Sequence, residues 1–249
     1  MSVIKHVDFE VPDWGELQAG PTEVPASSDV MTYPEKVLSL SPLGYWRLGD
    51  SGATAVDETG SADGLITDSV TTGLSGALVG DSDSAMGFDG LTGWVETQQA
   101  VIPLVASGAL TLGGWVRTAQ ANSVLLSQYV FSSHPDGAKR FGLRTTAAGK
   151  LSWWKGGSTL AESGSVITDN TWHFFVATRS AAGAISLYVD GVLDGSGTDL
   201  LGFTNSPLGI AAFPAVVMLN GEMDEVFVVD SEVSAADLLE IYQIATGAA

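Results

Sequence analysis

Cysteine is absent from this 249-residue chain, which excludes disulfides, zinc–thiolate centres and a cysteine nucleophile. Stability must come from packing. Basic residues are scarce: ten Lys and Arg against 29 Asp and Glu leave a formal charge of -19. Such a surface repels phosphate backbones and anionic headgroups, so neither nucleic acid nor a membrane is expected as partner. The plain reading of the acidity is solubility. His6, His134 and His173 are too scattered to suggest a cluster. No apolar run approaches a membrane span. The start, Met1 to Glu10, meets charge before an apolar run can form, so synthesis in the cytoplasm without a signal peptide is expected.

What is present suits an all-β protein. Apolar residues make up 45% of the chain, ample for a large core, and 30 glycines exceed the usual share of roughly 7%, implying many tight turns. From Val37 onward, short apolar runs alternate with Gly, Ser and Asp clusters, the strand-and-turn rhythm of a sandwich or jelly roll. Strands are predicted at Leu110–Val116, Ser123–Val130, Phe141–Leu143, Lys150–Trp154, Thr171–Ala177, Ala184–Val189 and Gly221–Val229, with a hairpin turn at Asp190-Gly191. One segment reads clearly as helix. Ser234 caps it, Asp237 holds the capping-box position, Val233 and Leu238 form a staple, and Leu238, Ile241, Tyr242 and Ala245 make one apolar stripe.

Residues 1–37 read differently. Val3, Val7, Phe9 and Val11 share one face of a candidate strand, and Pro12, Trp14, Pro21, Pro25 and Pro34 follow. That proline spacing favours extended chain over helix. An arm of this kind either folds back over the body or stays free, or else docks onto another protein by strand addition through Val7, Phe9, Val11 and Trp14. The division expected is an arm over 1–37 and a sandwich domain over 38–249.

Four segments, Leu43-Gly-Tyr-Trp-Arg-Leu-Gly-Asp50, Asn170-Thr-Trp-His-Phe174, Leu187-Tyr-Val-Asp-Gly191 and Asn220-Gly-Glu-Met-Asp-Glu-Val226, occur in this order together with Met86-Gly-Phe-Asp-Gly90 and Gly114-Trp-Val116. The set resembles the laminin-G-like branch of the concanavalin A-like lectin folds, from about Leu38 to Ala245. The resemblance implies an antiparallel β-sandwich, a jelly roll with one short C-terminal helix, and a fold that usually binds rather than catalyses. It also implies a structural calcium ion held by Asp57, Asp89 and Asp224 with backbone carbonyls; turn-forming aspartates are the plain alternative.

Hydrolases with this sandwich carry carboxylates alternating on one strand, with nucleophile and acid about 5 Å apart. Glu222-Met-Asp224-Glu225 comes nearest, but strict alternation turns Glu225 to the opposite face, and Val226 and Phe227 stand where a third carboxylate would follow. Asp224 reads as structural, near a loop or metal, and Glu225 as salt-bridged. No nucleophile elbow, zinc motif or phosphate loop occurs, so no enzyme is expected. For sugar binding the useful group is an exposed aromatic beside polar side chains. If Trp153 points inward, Trp154 is left at the surface, with Tyr129, Trp94, Gln128, His134 and Asp136 as further candidates.

The expected function is a structural and adhesion protein on the surface of a phage or virus-like particle, as capsid decoration or a tail-fibre component. Its arm would grip a capsid or tail protein, and its sandwich would present a lectin-like surface to a cell-surface glycan, as a homo-oligomer. A free carbohydrate-binding module is the alternative, and a glycoside hydrolase of the same fold a third.

Overall fold

The computed structural model describes residues 31–248 except 68, 103–107, 129–139, 204 and 214–216. The chain divides into two units, residues 1–30 and 31–249. Val7, Phe9, Val11 and Trp14 therefore lie outside the described residues.

The second unit opens with helix α1 (Tyr33–Ser39). Strands β1 (Gly44–Trp46), β2 (Thr54–Ala55), β3 (Gly64–Ile66), β4 (Thr71–Ser75), β5 (Ser84–Asp89) and β6 (Val95–Thr97) follow, then β7 (Leu110–Thr118), β8 (Val124–Gln128), β9 (Phe141–Thr145) and β10 (Lys150–Lys155). Next come β11 (Ser158–Val166), β12 (Trp172–Arg179), β13 (Ala184–Val189), β14 (Val192–Thr198), β15 (Leu208–Ile210), β16 (Ala212–Phe213), β17 (Val217–Met218) and β18 (Asn220–Val229). Helix α2 (Ala235–Thr246) ends the chain.

Among the described residues the strands form two eight-stranded antiparallel sheets and a two-stranded ribbon of β16 and β17. Sheet one runs β14-β13-β12-β7-β18-β5-β4, with β1 also paired to β18; sheet two runs β11-β10-β9-β8-β15-β6-β3-β2. The antiparallel sandwich expected from the turn rhythm is what forms. Side chains of alternate phase meet between the sheets: Leu112, Phe175, Ile185 and Leu187 from sheet one face Phe141, Leu143, Leu151 and Trp153 from sheet two. The opposite phase of sheet one, including Trp115, Phe174, Tyr188 and Phe227, packs under α1 and α2. Within the second unit the described residues are thus layered as helices, sheet one, sheet two, and none of the described helices lies on the outer side of sheet two.

Local chemistry explains several joints. Asp190 (φ 51) and Gly191 (φ 77) adopt the left-handed conformations that a two-residue hairpin turn needs, joining β13 to β14 as the sequence suggests. At the edge where the sheets converge, a Cβ at Gly197 would lie 2.0 Å from the Leu160 carbonyl oxygen, so β14 approaches β11 closely only because that position is glycine. Ser234 accepts the Asp237 amide at the start of α2, and Val233, Leu238, Ile241 and Ala245 are buried beneath it.

One expectation is corrected. The extended stretch read through residue 37 ends earlier, because Tyr33–Ser39 is helical. Thr32 and Glu35 form a reciprocal capping box and Pro34 occupies the first turn, where a proline lacking an N–H costs nothing. Tyr33 and Val37 are buried in the layer under the helices, and Lys36 Nζ lies 2.8 Å from both Asp237 and Glu240 of α2. This helix belongs to the sandwich. No helix among the described residues is long and apolar enough to cross a membrane.

Candidate functional site

Alternation along β10 divides its side chains between two environments. Leu151 and Trp153 enter the inter-sheet core, where Trp153 lies 4.4 Å from Phe141 by ring centroids; Ser152 and Trp154 take the other side. Lys155 also turns inward. Its ammonium is buried against Asp199 at 2.7 Å and stands 3.9 Å from the Phe203 ring centroid. On β9, Phe141 and Leu143 are core residues while Gly142 and Arg144 face outward. Register then sets Gly142 opposite Trp154 and Arg144 opposite Ser152. On β11, Thr159 pairs with Trp154 and Glu162 with Ser152.

Arg144, Ser152, Trp154, Thr159 and Glu162 line a groove of about 260 Å³ on sheet two, bounded further by Asn122, Thr146 and Gly157. Gly142 supplies no side chain beside the half-buried indole of Trp154. The Arg144 guanidinium carbon lies 5.2 Å from the Trp154 ring centroid, within cation–π range. Burial pushes the Arg144 pKa down, and its Nε is a buried donor without a partner. Lys150 stands 3.9 Å from Glu162. The groove thus offers an aromatic face, a cation, a carboxylate, an amide and hydroxyls, the groups that recognise saccharide rings and their hydroxyls.

Of the residues singled out for sugar binding, Trp154 is in this groove. Trp94 is not: it precedes β6, four strand spacings from β10, or ~19 Å across the sheet at the usual separation. Gln128 ends β8, its backbone paired with Leu208, and its side chain is outside the described set, as are Tyr129, His134 and Asp136. Sequence reasoning missed Arg144, Ser152 and Glu162. The phase of Arg144 against Phe141 and Leu143 was readable; the strand partners that carry it to Trp154 were not.

The three candidate metal ligands each serve a separate local structure. Asp57 is buried and accepts from the amides of Tyr45, Thr59, Ser61 and Ala62 and from the Thr59 hydroxyl. Burial acts to raise its pKa, but these donors prevail and hold it below the ordinary value. Exposed Asp89 accepts from the amides of Thr92, Leu91 and Gly93, which depress its pKa strongly. Asp224 Oδ2 accepts from Ala77 at 2.8 Å, whereas its buried Oδ1 has no partner. Among the described residues, no three His, Asp or Glu side chains are grouped to hold a metal ion.

The carboxylates of β18 are likewise committed. Glu222 pairs with Arg117, whose guanidinium covers Trp172 at 5.2 Å. A bulge between Asp224 and Phe227, with Glu225 at φ 54, breaks the alternation expected of this strand. Glu225 accordingly reaches the Tyr45 hydroxyl and Arg47 and is near enough to Asp224 to raise its pKa. The salt bridge expected of Glu225 is present. Burial, then Glu225, pushes Asp224 up to about 8; burial raises Glu225 to about 7 against the lowering effects of Tyr45 and Arg47. Both carboxyls are thus buried, Glu225 held by Tyr45 and Arg47 and Asp224 by the Ala77 amide. His173 lies between Asp190 (2.9 Å) and Asp169 (3.1 Å), and these carboxylates raise its pKa against the opposing effect of burial.

A family model for the concanavalin A-like lectin/glucanases superfamily matches residues 89–239. Among curated proteins there is no match. Among solved structures, domain 4 of AbnA, an extracellular GH43 arabinanase from Geobacillus stearothermophilus seen in complex with arabinotriose, superposes with a TM-score of 0.61 at 18% identity, covering 81% of this chain and 98% of that domain. Trypanosoma rangeli sialidase gives 0.59 at 15% identity, with 80% of this chain covered and 32% of the sialidase. The binding domain of botulinum neurotoxin serotype G gives 0.58 at 14%, with 82% and 51% covered. The chain therefore spans about a third of the sialidase and half of the toxin domain, and at these identities the likeness is one of fold. With the sandwich, the layering and the match over most of the second unit in agreement, the chain belongs to the concanavalin A-like lectin/glucanases superfamily.

Proposed function

We propose that the protein is a non-catalytic saccharide-binding module whose binding surface is the groove over Trp154 on the outer side of sheet two. The observation that carries this reading is the meeting of Trp154, Arg144, Ser152, Glu162 and Asn122 on the side of sheet two away from helices α1 and α2. An indole next to convergent polar groups suits a sugar ring, whose apolar face stacks while its hydroxyls are hydrogen-bonded. The arabinotriose complex of AbnA domain 4 supports the reading at the level of fold. The buried state of Asp224 and Glu225 supports a binding rather than hydrolytic role.

A glycan array probed with wild type and Trp154→Ala tests it. Wild type is expected to bind at least one oligosaccharide and release no reducing ends from it. Loss of the stacking face should weaken binding by about tenfold or more, that is ~1.4 kcal/mol. Equal binding by both proteins refutes the assignment of the groove.

The finer reading, display on a phage or virus-like particle, draws its support from the apolar residues Val7, Phe9, Val11 and Trp14 and places the grip before Tyr33. Its test is whether a chain starting at Met31 loses copurification with particles while the full chain keeps it.

A further inference from the structure

Among the described residues, Arg144 has no acidic partner. In a protein with 29 acidic and ten basic residues, an arginine has carboxylates in excess to choose from, and its neighbours use them. Arg47 contacts Asp81, Asp83 and Glu225; Arg117 contacts Glu222; Arg179 contacts Asp199. Among the described residues, no carboxylate, carbonyl or hydroxyl accepts from the Arg144 guanidinium, and its Nε is buried with its donor unused. Leaving a charged donor desolvated and unpaired costs stability, which makes it a preorganised site for an acceptor supplied from outside.

A second cation stands in phase with it. Arg140 directly precedes β9 two residues before Gly142, is exposed, and has no ion pair among the described residues. Alternation sends residues 140, 142 and 144 to the same side of the sheet. The outer side of β9 thus reads cation, glycine, cation, and Trp154 lies opposite the glycine. The carboxylate within the groove, Glu162, has Lys150 at 3.9 Å and stands across Ser152 from Arg144.

We infer that the saccharide taken by this groove is acidic, its carboxylate or sulfate received by the Arg144 guanidinium with Arg140 beside it while a sugar ring lies on Trp154. The inference rests on the saccharide-binding reading and adds a charge to the ligand. A planar guanidinium matches a carboxylate with two parallel hydrogen bonds, and in a half-desolvated groove such a pair is stronger than in open water. The overall charge of -19 opposes the approach of long polyanions, but at physiological salt this repulsion is screened beyond about 8 Å. Short oligosaccharides are therefore the suitable probes.

The experiment is calorimetric titration of the full chain with trigalacturonate and its methyl ester, which differ only in the charged group, and with a sulfated galactan trisaccharide and its desulfated form. Wild type is expected to bind at least one acidic member at least tenfold tighter than its neutral counterpart, and which pair shows it identifies the anion. Arg144→Gln should weaken the acidic sugar much more than the neutral one, reducing that preference to within about twofold, and Arg144→Lys should restore part of it. Unchanged melting of both variants verifies the fold. Equal affinity for acidic and neutral partners in wild type, or an equal loss for both in Arg144→Gln, overturns the inference and leaves saccharide binding standing. If no saccharide binds, acidic or neutral, or if Trp154→Ala binds as wild type does, the underlying reading falls with it.

Discussion

Asp224 and Glu225 show how one backbone irregularity sets the chemistry of a strand. Strict alternation would put these neighbours on opposite sides of β18; the bulge at Glu225 brings both into one buried cluster with Tyr45 and Arg47. The folded chain holds their protons to about pH 8 and 7, respectively, whereas in the unfolded chain both ionise near pH 4. Between those limits the folded state binds more protons than the unfolded one, so stability falls as pH rises through the window. The melting temperature is expected to be lower at pH 8 than at pH 5, and Asp224→Asn should shrink that fall. His173 contributes with the same sign: the stabilisation from Asp190 and Asp169 is present below its unfolded pKa and lost as pH rises through the elevated folded value. A slope in Asp224→Asn equal to that of wild type contradicts this account. Residue types announced the Glu225 salt bridge; the bulge was not legible, since nothing in Glu222-Met-Asp-Glu-Val-Phe marks where the register shifts.

Among elements, α1 differs from the extended chain expected there, although its signals are in the sequence. Thr32-Tyr33-Pro34-Glu35 contains a cap, a first-turn proline and the reciprocal glutamate, but Pro34 follows several other prolines, and together they favour extended chain. Seven residues are too few for a periodic apolar stripe to override that impression. The structural consequence is that the sandwich begins near residue 32 rather than 38. A chain starting at Met31 retains α1, whereas one starting at Ser41 loses the burial of Tyr33 and Val37, about 1.5–3 kcal/mol each, and the ties from Lys36 to α2. Urea denaturation should put the second chain about 3–6 kcal/mol below the first. Equal midpoints would show that α1 contributes nothing to the body. By contrast, the Asp190-Gly191 hairpin and α2 were legible, because a turn dipeptide and a capped apolar stripe are local signals complete within a few residues.

For the whole molecule, the sandwich was legible from turn rhythm and alternation, but the pairing order was not. Strands as short as β2, β16 and β17, two residues each, carry no period, and the crossings that place β15 between β8 and β6 depend on long-range packing. The candidate site shares this division. Trp154 was readable from the phase of β10, while Arg144, Ser152 and Glu162 joined it only through register across β9, β10 and β11. Layering completes the argument: helices cover the outer side of sheet one, and the groove opens on the outer side of sheet two. The most direct test is an NMR titration of ¹⁵N-labelled protein with the oligosaccharide that binds most tightly on the array. Shifts confined to the Trp154 indole N–H and to the amides of Gly142, Arg144, Ser152 and Glu162 are the result expected. Shifts centred instead on Asn170, Asn220 and Gly221, around the second groove beside Arg117, or no shifts at Trp154, would contradict it.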